Sequence, residues 1–365
     1  MSLRAGIVGL PNVGKSTLFN ALTRAGVPAA NYPFCTIDPN VGVIPVPDPR
    51  LDQLAELVHP ERIIPATVEC VDIAGLVAGA SKGEGLGNQF LAHIRETDAI
   101  IEVVRCFSSE SVIHVSGHPN PLSDVAVIET ELALADLATV ERSLAQASAQ
   151  ARSGHKDARE RVDFLERLQK NLDQGGWVRE LDLNEQETIW LRELHLFTEK
   201  SLLYLANIGE DPKDPQTKRW VEELESYAHQ RGSAVVVIST QIESEIAELD
   251  VAEQHAFMRE LGYAEPGLNR LIRSAYQVLG LETFFTAGPK EVRAWTIRRG
   301  ISAPRAAAVI HTDFERGFIA AEVASYEDFI KFGSEAGARA AGKMRLEGRD
   351  YVVQDGDVVH FRFNV

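Results

Sequence analysis

Residues 9 to 16 have the types and spacing of a phosphate-binding loop and read Gly-Leu-Pro-Asn-Val-Gly-Lys-Ser. An apolar run precedes the loop from Leu3 to Val8, and the residues from Thr17 to Ala25 read as a helix. In this strand-loop-helix order, backbone N–H groups and the positive end of the helix converge on phosphate oxygens. We expect Lys15 to reach the β- and γ-phosphates and the Ser16 hydroxyl to ligate Mg²⁺. The predicted nucleotide contacts are Asn12, Val13, Gly14, Lys15, Ser16 and Thr17.

A second motif follows at the spacing of a nucleotide-dependent switch. The apolar strand from Val68 to Ile73 leads into Asp72-Ile73-Ala74-Gly75, where Asp72 is expected to hold Mg²⁺ through water and Gly75 to donate its N–H to the γ-phosphate. Thr36, in the loop between the two motifs, is a candidate second hydroxyl ligand that closes over the metal only when the γ-phosphate is present. A nucleotide kinase also uses a phosphate-binding loop but does not need the Asp-x-x-Gly switch, so the pair of motifs favours hydrolysis coupled to a conformational change.

The motifs resemble those of one family. Gly-Leu-Pro-Asn-Val-Gly-Lys-Ser-Thr from Gly9, Asn-Tyr-Pro-Phe-Cys-Thr from Asn31 and the long Asp-Ile-Ala-Gly-Leu-Val-Ala-Gly segment from Asp72 are similar to the YchF, or Obg-like ATPase, family, and the similarity runs to Val365. The resemblance implies a P-loop ATPase with a helical insertion and a C-terminal TGS domain. It also implies association with the ribosome, at its large subunit and RNA.

The residue after the Asp-x-x-Gly motif is Leu76, where small GTPases of the Ras type place a glutamine that orients the attacking water. A leucine cannot hydrogen-bond water, so another group must guide it. His114 is the candidate, because it follows the strand from Ala99 to Val104 and a neutral imidazole can orient water. The resemblance implies that a mobile histidine segment takes part in hydrolysis; the alternative is a histidine held by local backbone. We expect slow intrinsic turnover, since no arginine finger is identifiable.

The predicted base-binding segment is Asn207-Ile208-Gly209-Glu210, which replaces the Asn-Lys-x-Asp of guanine-reading proteins. Asn207 can serve an adenine edge with its donor and acceptor, and Ile208 can pack on the ring face. Glu210 must turn away from adenine, whose ring nitrogen is also an acceptor. Ser239, after the strand from Ala234 to Ile238, is expected to contribute a backbone N–H. Two alternatives stay open: Asn207 only ties the phosphate loop to the base-binding loop, or the site also accepts GTP.

The composition is that of a globular protein, with 45% hydrophobic and 25% charged residues among 365. No apolar run approaches the roughly 18 residues of a membrane span, and Met1 leads directly into the first strand, so neither a membrane anchor nor a signal peptide is predicted. The three cysteines, Cys35, Cys70 and Cys106, lack metal-ligand spacing and are consistent with reduced thiols in a cytoplasm.

The chain is long enough for two or three domains. We predict an α/β fold in which a mostly parallel P-loop sheet flanked by helices is formed by residues 1–123 and 199–281. The Ala-, Leu- and Glu-rich residues 124–198 are predicted to form an inserted antiparallel helical domain, with Ser123 as the N-cap and an apolar seam through Val162, Leu165, Leu168 and Leu172. Residues 282–365 are predicted to form a β-grasp TGS domain, with strands at Thr296-Ile297, Gly317 to Val323, Tyr351 to Val353 and Val358 to Phe363.

Charge is distributed unevenly between these parts. Residues 282–365 contain 12 Lys and Arg against 12 Asp and Glu, so the first 281 residues carry 25 against 41, which is the whole net charge of −16. An acidic body argues against nonspecific coating of nucleic acid, and no DNA partner is expected. Arg298, Arg299, Lys343, Arg345 and Arg349 can meet phosphate if they share a face, although solvated surface charge is the simpler interpretation.

The sequence therefore favours a Mg²⁺-dependent ATPase whose nucleotide sets the conformation of the segments that contain Thr36, Gly75 and His114. One alternative is a GTPase, or a hydrolase of both ATP and GTP. Another, of a different class, is a ribosome- or RNA-binding module that uses nucleotide mainly as a structural ligand, which the leucine at position 76 makes credible.

Overall fold

The computed structural model describes residues 3–25, 40–73, 86–109, 112–114, 117–152 and 156–364. Its strands are β1 (Arg4–Val8), β2 (Val41–Pro45), β3 (Arg62–Ile64), β4 (Thr67–Asp72), β5 (Ala99–Arg105), β6 (Ser201–Asn207), β7 (Ala234–Ile238), β8 (Leu281–Ala287), β9 (Glu291–Arg298), β10 (Phe318–Ala324), β11 (Arg345–Glu347) and β12 (Val358–Phe363).

The helices alternate with the strands in the first part of the chain and cluster in its middle. They are α1 (Lys15–Ala25), α2 (Pro49–Val58), α3 (Leu86–Arg95), α4 (Pro121–Ala151), α5 (Lys156–Asp173), α6 (Glu185–Leu194), α7 (Pro215–Gln230), α8 (Thr240–Ile246), α9 (Val251–Leu261), α10 (Gly267–Val278), α11 (Ala303–Ile310), α12 (Thr312–Arg316), α13 (Tyr326–Phe332) and α14 (Glu335–Ala340). None of these helices, within the described residues, is long and apolar enough to cross a membrane.

The chain divides into two compact units. The first contains Met1–Val43 and Glu69–Ala275, and the second contains Ile44–Val68 and Tyr276–Val365. This division differs from the predicted one in two respects. The inserted helices belong to the first unit, and residues 44–68, which the sequence pattern assigns to the nucleotide domain, belong to the second.

The sheet of the first unit has the strand order β2-β4-β1-β5-β6-β7. The pairs β4/β1, β1/β5, β5/β6 and β6/β7 are all parallel, as predicted. Every residue of β5 is buried, which suits an apolar strand in the middle of a parallel sheet with both faces covered. Because ligands of open α/β sheets bind beyond the carboxyl ends of the strands, the carboxyl ends of β1, β4, β6 and β7 are placed to form one site.

The helical insertion has a core of its own inside the first unit. Leu165, Leu168 and Leu172 are buried in it and Val162 packs against it, so the predicted apolar seam is confirmed. The predicted N-cap, Ser123, was wrong: α4 begins at Pro121, and the side chain of Asn120 accepts a hydrogen bond from the Ser123 N–H. Proline suits the first turn of a helix because its missing N–H has no intrahelical partner there.

One buried carboxylate fastens the insertion to the strand that follows it. Asp136 of α4 accepts hydrogen bonds from the backbone N–H groups of Phe197 at 2.9 Å and Thr198 at 2.8 Å, and from the Thr198 hydroxyl at 2.7 Å. Three donors satisfy a carboxylate that has no exposed surface. These hydrogen bonds therefore fix the position of the chain just before β6.

The sheet of the second unit is mixed, with the order β11-β10-β12-β8-β9-β3. The pairs β10/β11, β10/β12 and β8/β9 are antiparallel, whereas β12/β8 and β3/β9 are parallel. Strands were predicted within β9, β10 and β12, and these predictions are confirmed. The predicted strand from Tyr351 to Val353 is reduced to a single bridge between Ser302 and Val352, and β3 was not predicted.

Candidate functional site

The phosphate loop joins β1 to α1, as predicted. Gly14 has φ +102°, a conformation that side chains rarely adopt, and a Cβ built on it would lie 2.4 Å from Asn207 Nδ2. Asn12 also has a positive φ, +61°. The requirement for glycine at position 14 therefore has two causes, the backbone conformation and the close approach of a side chain from β6.

Lys15 is the cation of this loop and is 8% exposed. Its Nζ donates to the carbonyl oxygens of Gly9 at 2.9 Å and Leu10 at 2.7 Å. Burial lowers the pKa of Lys15 to about 8, and the charge of Asp72 opposes this shift. Burial raises the pKa of Asp72, and the charge of Lys15 opposes that shift in turn. The charge of Asp72, at the end of β4, and the charge of Lys15, in the phosphate loop, therefore each favour the charged form of the other.

Two of the three residues predicted to hold the metal are described, and both are oxygen donors. Ser16 is exposed in the first turn of α1, and Asp72 is the last residue of β4. Hydroxyl and carboxylate oxygens are the ligand types that Mg²⁺ prefers, so this donor set fits that ion. The other predicted residues of the switch, Thr36 and Gly75, lie outside the described residues, as does Leu76.

Asn207 connects the phosphate loop to the loop after β7. Its Nδ2 donates to the carbonyl oxygen of Val13 at 2.8 Å, and its Oδ1 accepts from the Thr240 N–H at 2.9 Å. The side chain is almost fully buried, at 2% exposed. These two bonds support the alternative in which Asn207 ties the two loops together. Direct contact between Asn207 and the base stays a prediction.

Ile208 and Ser239 lie side by side beyond β6 and β7. The Ile208 N–H donates to the carbonyl oxygen of Ile238 at 2.9 Å, and Ser239 is the N-cap of α8. Both residues line a cavity of about 210 Å³. The Glu243 carboxylate, which also lines this cavity, accepts hydrogen bonds from the N–H groups of Gly267 at 2.7 Å and Leu268 at 3.2 Å. Glu210 is exposed.

His114 is buried against the start of α4. Its Nε2 lies 2.9 Å from Asp124 Oδ2, and its side chain is 1% exposed. Burial raises the pKa of Asp124, while the hydrogen bond from His114 and the charges of His114 and Arg105 oppose that shift. The Asp124 carboxylate therefore holds the imidazole at Nε2. No local signal in the sequence pointed to Asp124, ten residues away.

The segment with His114 is also attached to the phosphate loop. Asn12 Nδ2 donates to the carbonyl oxygen of Ile113 at 3.2 Å, and Arg105 Nη1 donates to the carbonyl oxygen of Val112 at 3.1 Å. The structure therefore links Asn12, a predicted nucleotide contact, with the residue next to His114.

Cys70 and Cys106 are free thiols, as expected, and both are buried. Burial raises the pKa of each to about 12. These two cysteines are therefore packing residues that carry no thiolate at neutral pH. Cys35 lies outside the described residues.

Comparisons with known proteins cover the whole chain. A family profile described as 50S ribosome-binding GTPase matches residues 4–146, and the YchF-GTPase_C profile, described as a protein of unknown function, matches residues 281–364. The chain is 57% identical over 365 residues to the ribosome-binding ATPase YchF of Pasteurella multocida and 53% identical over 366 residues to that of Bacillus subtilis, covering 100% of each.

A solved structure is similar over nearly the same length. The YchF GTPase of Schizosaccharomyces pombe is 37% identical to this chain and superimposes with a TM-score of 0.87, over 99% of this chain and 98% of that one. The similarity therefore extends through both units and is not limited to the phosphate-binding loop.

Proposed function

Because the chain belongs to the YchF family, we propose that it binds ATP together with Mg²⁺, hydrolyses it slowly and associates with the ribosome. The observation that carries the proposal is Lys15, a buried ammonium group at the carboxyl end of β1 whose hydrogen-bond partners in the loop are uncharged carbonyl oxygens. A buried cation without a hydrogen-bonded counter-ion is costly, and the oxygens of a triphosphate relieve that cost.

The residues of the chain bind the triphosphate in three ways. The N–H groups of the loop and of the N-terminus of α1 donate hydrogen bonds to anionic oxygens, and Lys15 supplies a full positive charge. Asn207 keeps the loop in shape from the side by its bond to Val13. The loop is thus organised before the nucleotide arrives, which reduces the entropy lost on binding.

We place Mg²⁺ at Ser16 and, through water, at Asp72, with Thr36 as a further ligand by its place in the resembling motif. When bound, the ion would neutralise negative charge on the β- and γ-phosphates. Asp72 is suited to this position because it already offsets the charge of Lys15. Gly75 completes the set with its backbone N–H.

Hydrolysis requires a group that positions water, and His114 is our proposal. In this conformation Nε2 is bound to Asp124, so the imidazole must exchange this partner for water before it can act. The bond from Asn12 to Ile113 gives a route by which nucleotide at the phosphate loop affects the histidine segment. Slow turnover follows from the cost of breaking a buried hydrogen bond to a carboxylate, about 1.5 to 3 kcal/mol.

For the base we propose a preference for adenine through Ile208 and Ser239. Glu210 is exposed and free to turn from the ring, and the lysine and aspartate of guanine-reading proteins are absent from this segment. Asn207 already uses its Nδ2 and Oδ1 in the loop, so we assign base recognition mainly to apolar packing and backbone groups. Hydrolysis of GTP as well as ATP is the second candidate, since apolar packing tolerates either purine.

The ribosome is the proposed partner because the curated relatives carry ribosome binding in their names. The 50S description of the profile that matches residues 4–146 supports the large subunit and its RNA as the docking partner. Such a partner places the protein in the cytoplasm. We propose that residues 282–365 form the TGS module, and the match of the C-terminal profile to residues 281–364 supports this proposal.

Two measurements test this function. Calorimetric titration of nucleotide-free protein with ATP and with GTP, in the presence of Mg²⁺, is expected to show tighter binding of ATP; tighter binding of GTP would overturn the base assignment. Single-turnover hydrolysis of ATP is then measured alone and with 70S ribosomes or isolated 50S and 30S subunits. Absence of hydrolysis under every condition, with ATP bound, would leave a binding module that uses nucleotide as a structural ligand.

A further inference from the structure

The sheet of the second unit is open along one edge of β12. On one side, β12 pairs with β10 from Val358 to Phe363. On the other side, its pairing with β8 consists of the single register position Val358 opposite Phe285. Beyond that point β8 turns into β9 at residues 288–290. Within the described residues, the main chain of β12 after Val358 therefore has a ladder partner on one side only, although it lies inside a six-stranded sheet.

A cavity of about 520 Å³ occupies this opening. Its walls come from both sides of the gap: Thr286 and Ala287 from β8, and the residues from Val358 to Phe361, with Phe363, from β12. The volume falls within the usual range for ligand sites, about 300 to 1,000 Å³. We refer to this opening, between Thr286–Lys290 and Val359–Phe363, as the β12 slot.

Aromatic side chains form the apolar wall of the β12 slot. Phe314 and Phe363 stack with their ring centroids 3.7 Å apart, and Trp295 and Phe361 also line the cavity. Phe363 is 41% exposed, which is unusual for a ring of this size. Exposed aromatic rings beside a concave surface are typical of sites that bury a partner.

The charges of the β12 slot leave one cation uncompensated. Glu291 lies near Arg62 and Arg293, at 3.5 and 3.9 Å, and Glu335 pairs with Arg339 at 2.7 Å. Lys290, at the turn between β8 and β9, is exposed and has no ion pair within the described part of the chain. An occupant with an acidic group near this turn therefore complements the lining.

We propose that the β12 slot binds an extended peptide segment of another protein, which adds a strand to the open edge of β12. Strand addition uses the backbone N–H and C=O groups of an edge for affinity and pockets for alternate side chains for specificity. The peptide places apolar side chains at alternate positions against Phe314, Phe361 and Phe363 and an acidic side chain near Lys290. A fatty acid complements the rings and the lysine but cannot satisfy the strand edge.

The test uses fluorescence anisotropy with two dye-labelled hexapeptides of alternating valine and threonine. One has glutamate as its last side chain and the other has lysine, and both have amidated ends. We expect the full-length protein to bind the glutamate probe more tightly. Lys290→Glu is expected to reverse this preference, by about two- to fivefold in each direction as for an exposed ion pair. Lys331→Glu, an exposed lysine outside the slot, is the matched control.

The aromatic wall and the strand edge are tested separately. Phe363→Ala is expected to weaken the glutamate probe about tenfold or more, as for a buried aromatic anchor, whereas Ile319→Ala, at an exposed position of β10 outside the slot, leaves it unchanged. Equal melting temperatures establish that both variants fold. Amide hydrogen exchange is expected to slow in residues 359–363 when the probe binds.

Three results would overturn the proposal: no binding of either probe at millimolar concentration, binding that neither Lys290→Glu nor Phe363→Ala changes, or displacement of the probes by oleate without slower exchange of the β12 amides. The last result would identify the slot as a site for an apolar acid. ATP hydrolysis by the same variants is expected to equal that of the parent, so the outcome is independent of the proposed nucleotide chemistry.

Discussion

His114 Nε2 and Asp124 Oδ2 are 2.9 Å apart in a site from which solvent is almost excluded. The imidazole is therefore held by the first turn of α4, while its neighbour Ile113 is held by Asn12 of the phosphate loop. If His114 orients water, its release from Asp124 is a step that precedes hydrolysis. The strength of this one hydrogen bond then controls the rate of the proposed reaction.

Asp124→Asn is predicted to accelerate single-turnover ATP hydrolysis. A neutral amide of the same shape weakens the bond by about 1.4 kcal/mol, which raises the population of released His114 about tenfold. His114→Ala is expected to be slow, and the double variant should be as slow as His114→Ala. A rate for Asp124→Asn that falls to the level of His114→Ala would instead show that Asp124 orients the imidazole during the reaction.

Asn207→Ala is predicted to weaken ATP and GTP binding by the same factor. Its bonds to Val13 and Thr240 organise the phosphate loop, which serves both nucleotides, so about 1 to 3 kcal/mol, or about five- to 150-fold, should be lost for each. Calorimetry with both nucleotides measures the two factors. A loss confined to ATP would contradict the tying role and favour direct reading of adenine.

Gly14→Ala is predicted to reduce nucleotide affinity at least about tenfold, since the new methyl group meets Asn207 Nδ2 at 2.4 Å and the φ of +102° costs about 1 to 2 kcal/mol. The matched control is Gly175→Ala, where φ is also positive, +73°, but no atom lies within 4 Å of the new carbon. The control should bind ATP like the parent. Equal affinities for the two variants would mean that the loop adjusts freely.

Nucleotide binding near pH 8 is predicted to take up protons. In the free protein the pKa of Lys15 is about 8, because the ammonium is buried, and triphosphate oxygens raise it again. At pH 8 about half of the Lys15 side chains are neutral, so binding should take up to about half a proton at this group. Calorimetry in buffers of different ionisation enthalpy measures the uptake, and Lys15→Met should lack this contribution. An uptake that Lys15→Met retains would assign it elsewhere.

The lowered pKa of Lys15 also determines how the free energy of unfolding depends on pH. A lysine whose folded-state pKa is lowered binds fewer protons in the folded state than in the unfolded one, so its charging cost is greatest below pH 8 and disappears as pH rises toward 10.5. The stability gained by Lys15→Met over the parent should therefore shrink across that range. A gain that is constant from pH 7 to pH 10 would place the pKa of Lys15 at its ordinary value.

Glu322→Gln is predicted to destabilise the second unit by about 1 to 2 kcal/mol at pH 7, because Glu322 receives hydrogen bonds from the half-exposed Arg339 and Arg362. The bonds from Arg339 and Arg362 lower the pKa of Glu322. A lowered carboxyl pKa stabilises the fold above the unfolded value and loses that effect as pH falls through the folded value. The difference in unfolding free energy between Glu322→Gln and the parent should therefore begin to shrink as the pH falls below about 4.3, the unfolded value, and be lost below the folded value. Urea unfolding measures it, with exposed Glu327→Gln as the control.

The sequence was a good guide where local spacing determines structure. The phosphate loop, Ser16 and Asp72 follow from sequence patterns of a few residues, and the structure places them at the carboxyl ends of β1 and β4. The N-cap was misplaced because serine and asparagine cap helices equally well, so residue type alone did not separate Ser123 from Asn120. The following Pro121 is a first-turn signal that favours Asn120.

Contacts between distant residues could not be predicted in this way. His114 meets Asp124 across a bend, and Asp136 meets Phe197 and Thr198 across 61 and 62 positions. A carboxylate in the middle of a helix looks like a solvent-facing residue in the sequence, since burial depends on what packs against it. For the same reason the sequence left open whether Asn207 contacts the base or ties the phosphate loop, and the bonds to Val13 and Thr240 support the tie.

The pairing of β3 with β9 affects how the protein folds during its synthesis. Arg62–Ile64 pairs with Glu291–Arg293, and Thr67 and Thr296, joined by a hydrogen bond in the same region, are 229 residues apart. At about 5 to 20 residues per second, a strand made early waits roughly 10 to 45 seconds for its partner. During translation Arg62–Ile64 therefore lacks its strand partner until most of the chain has been made.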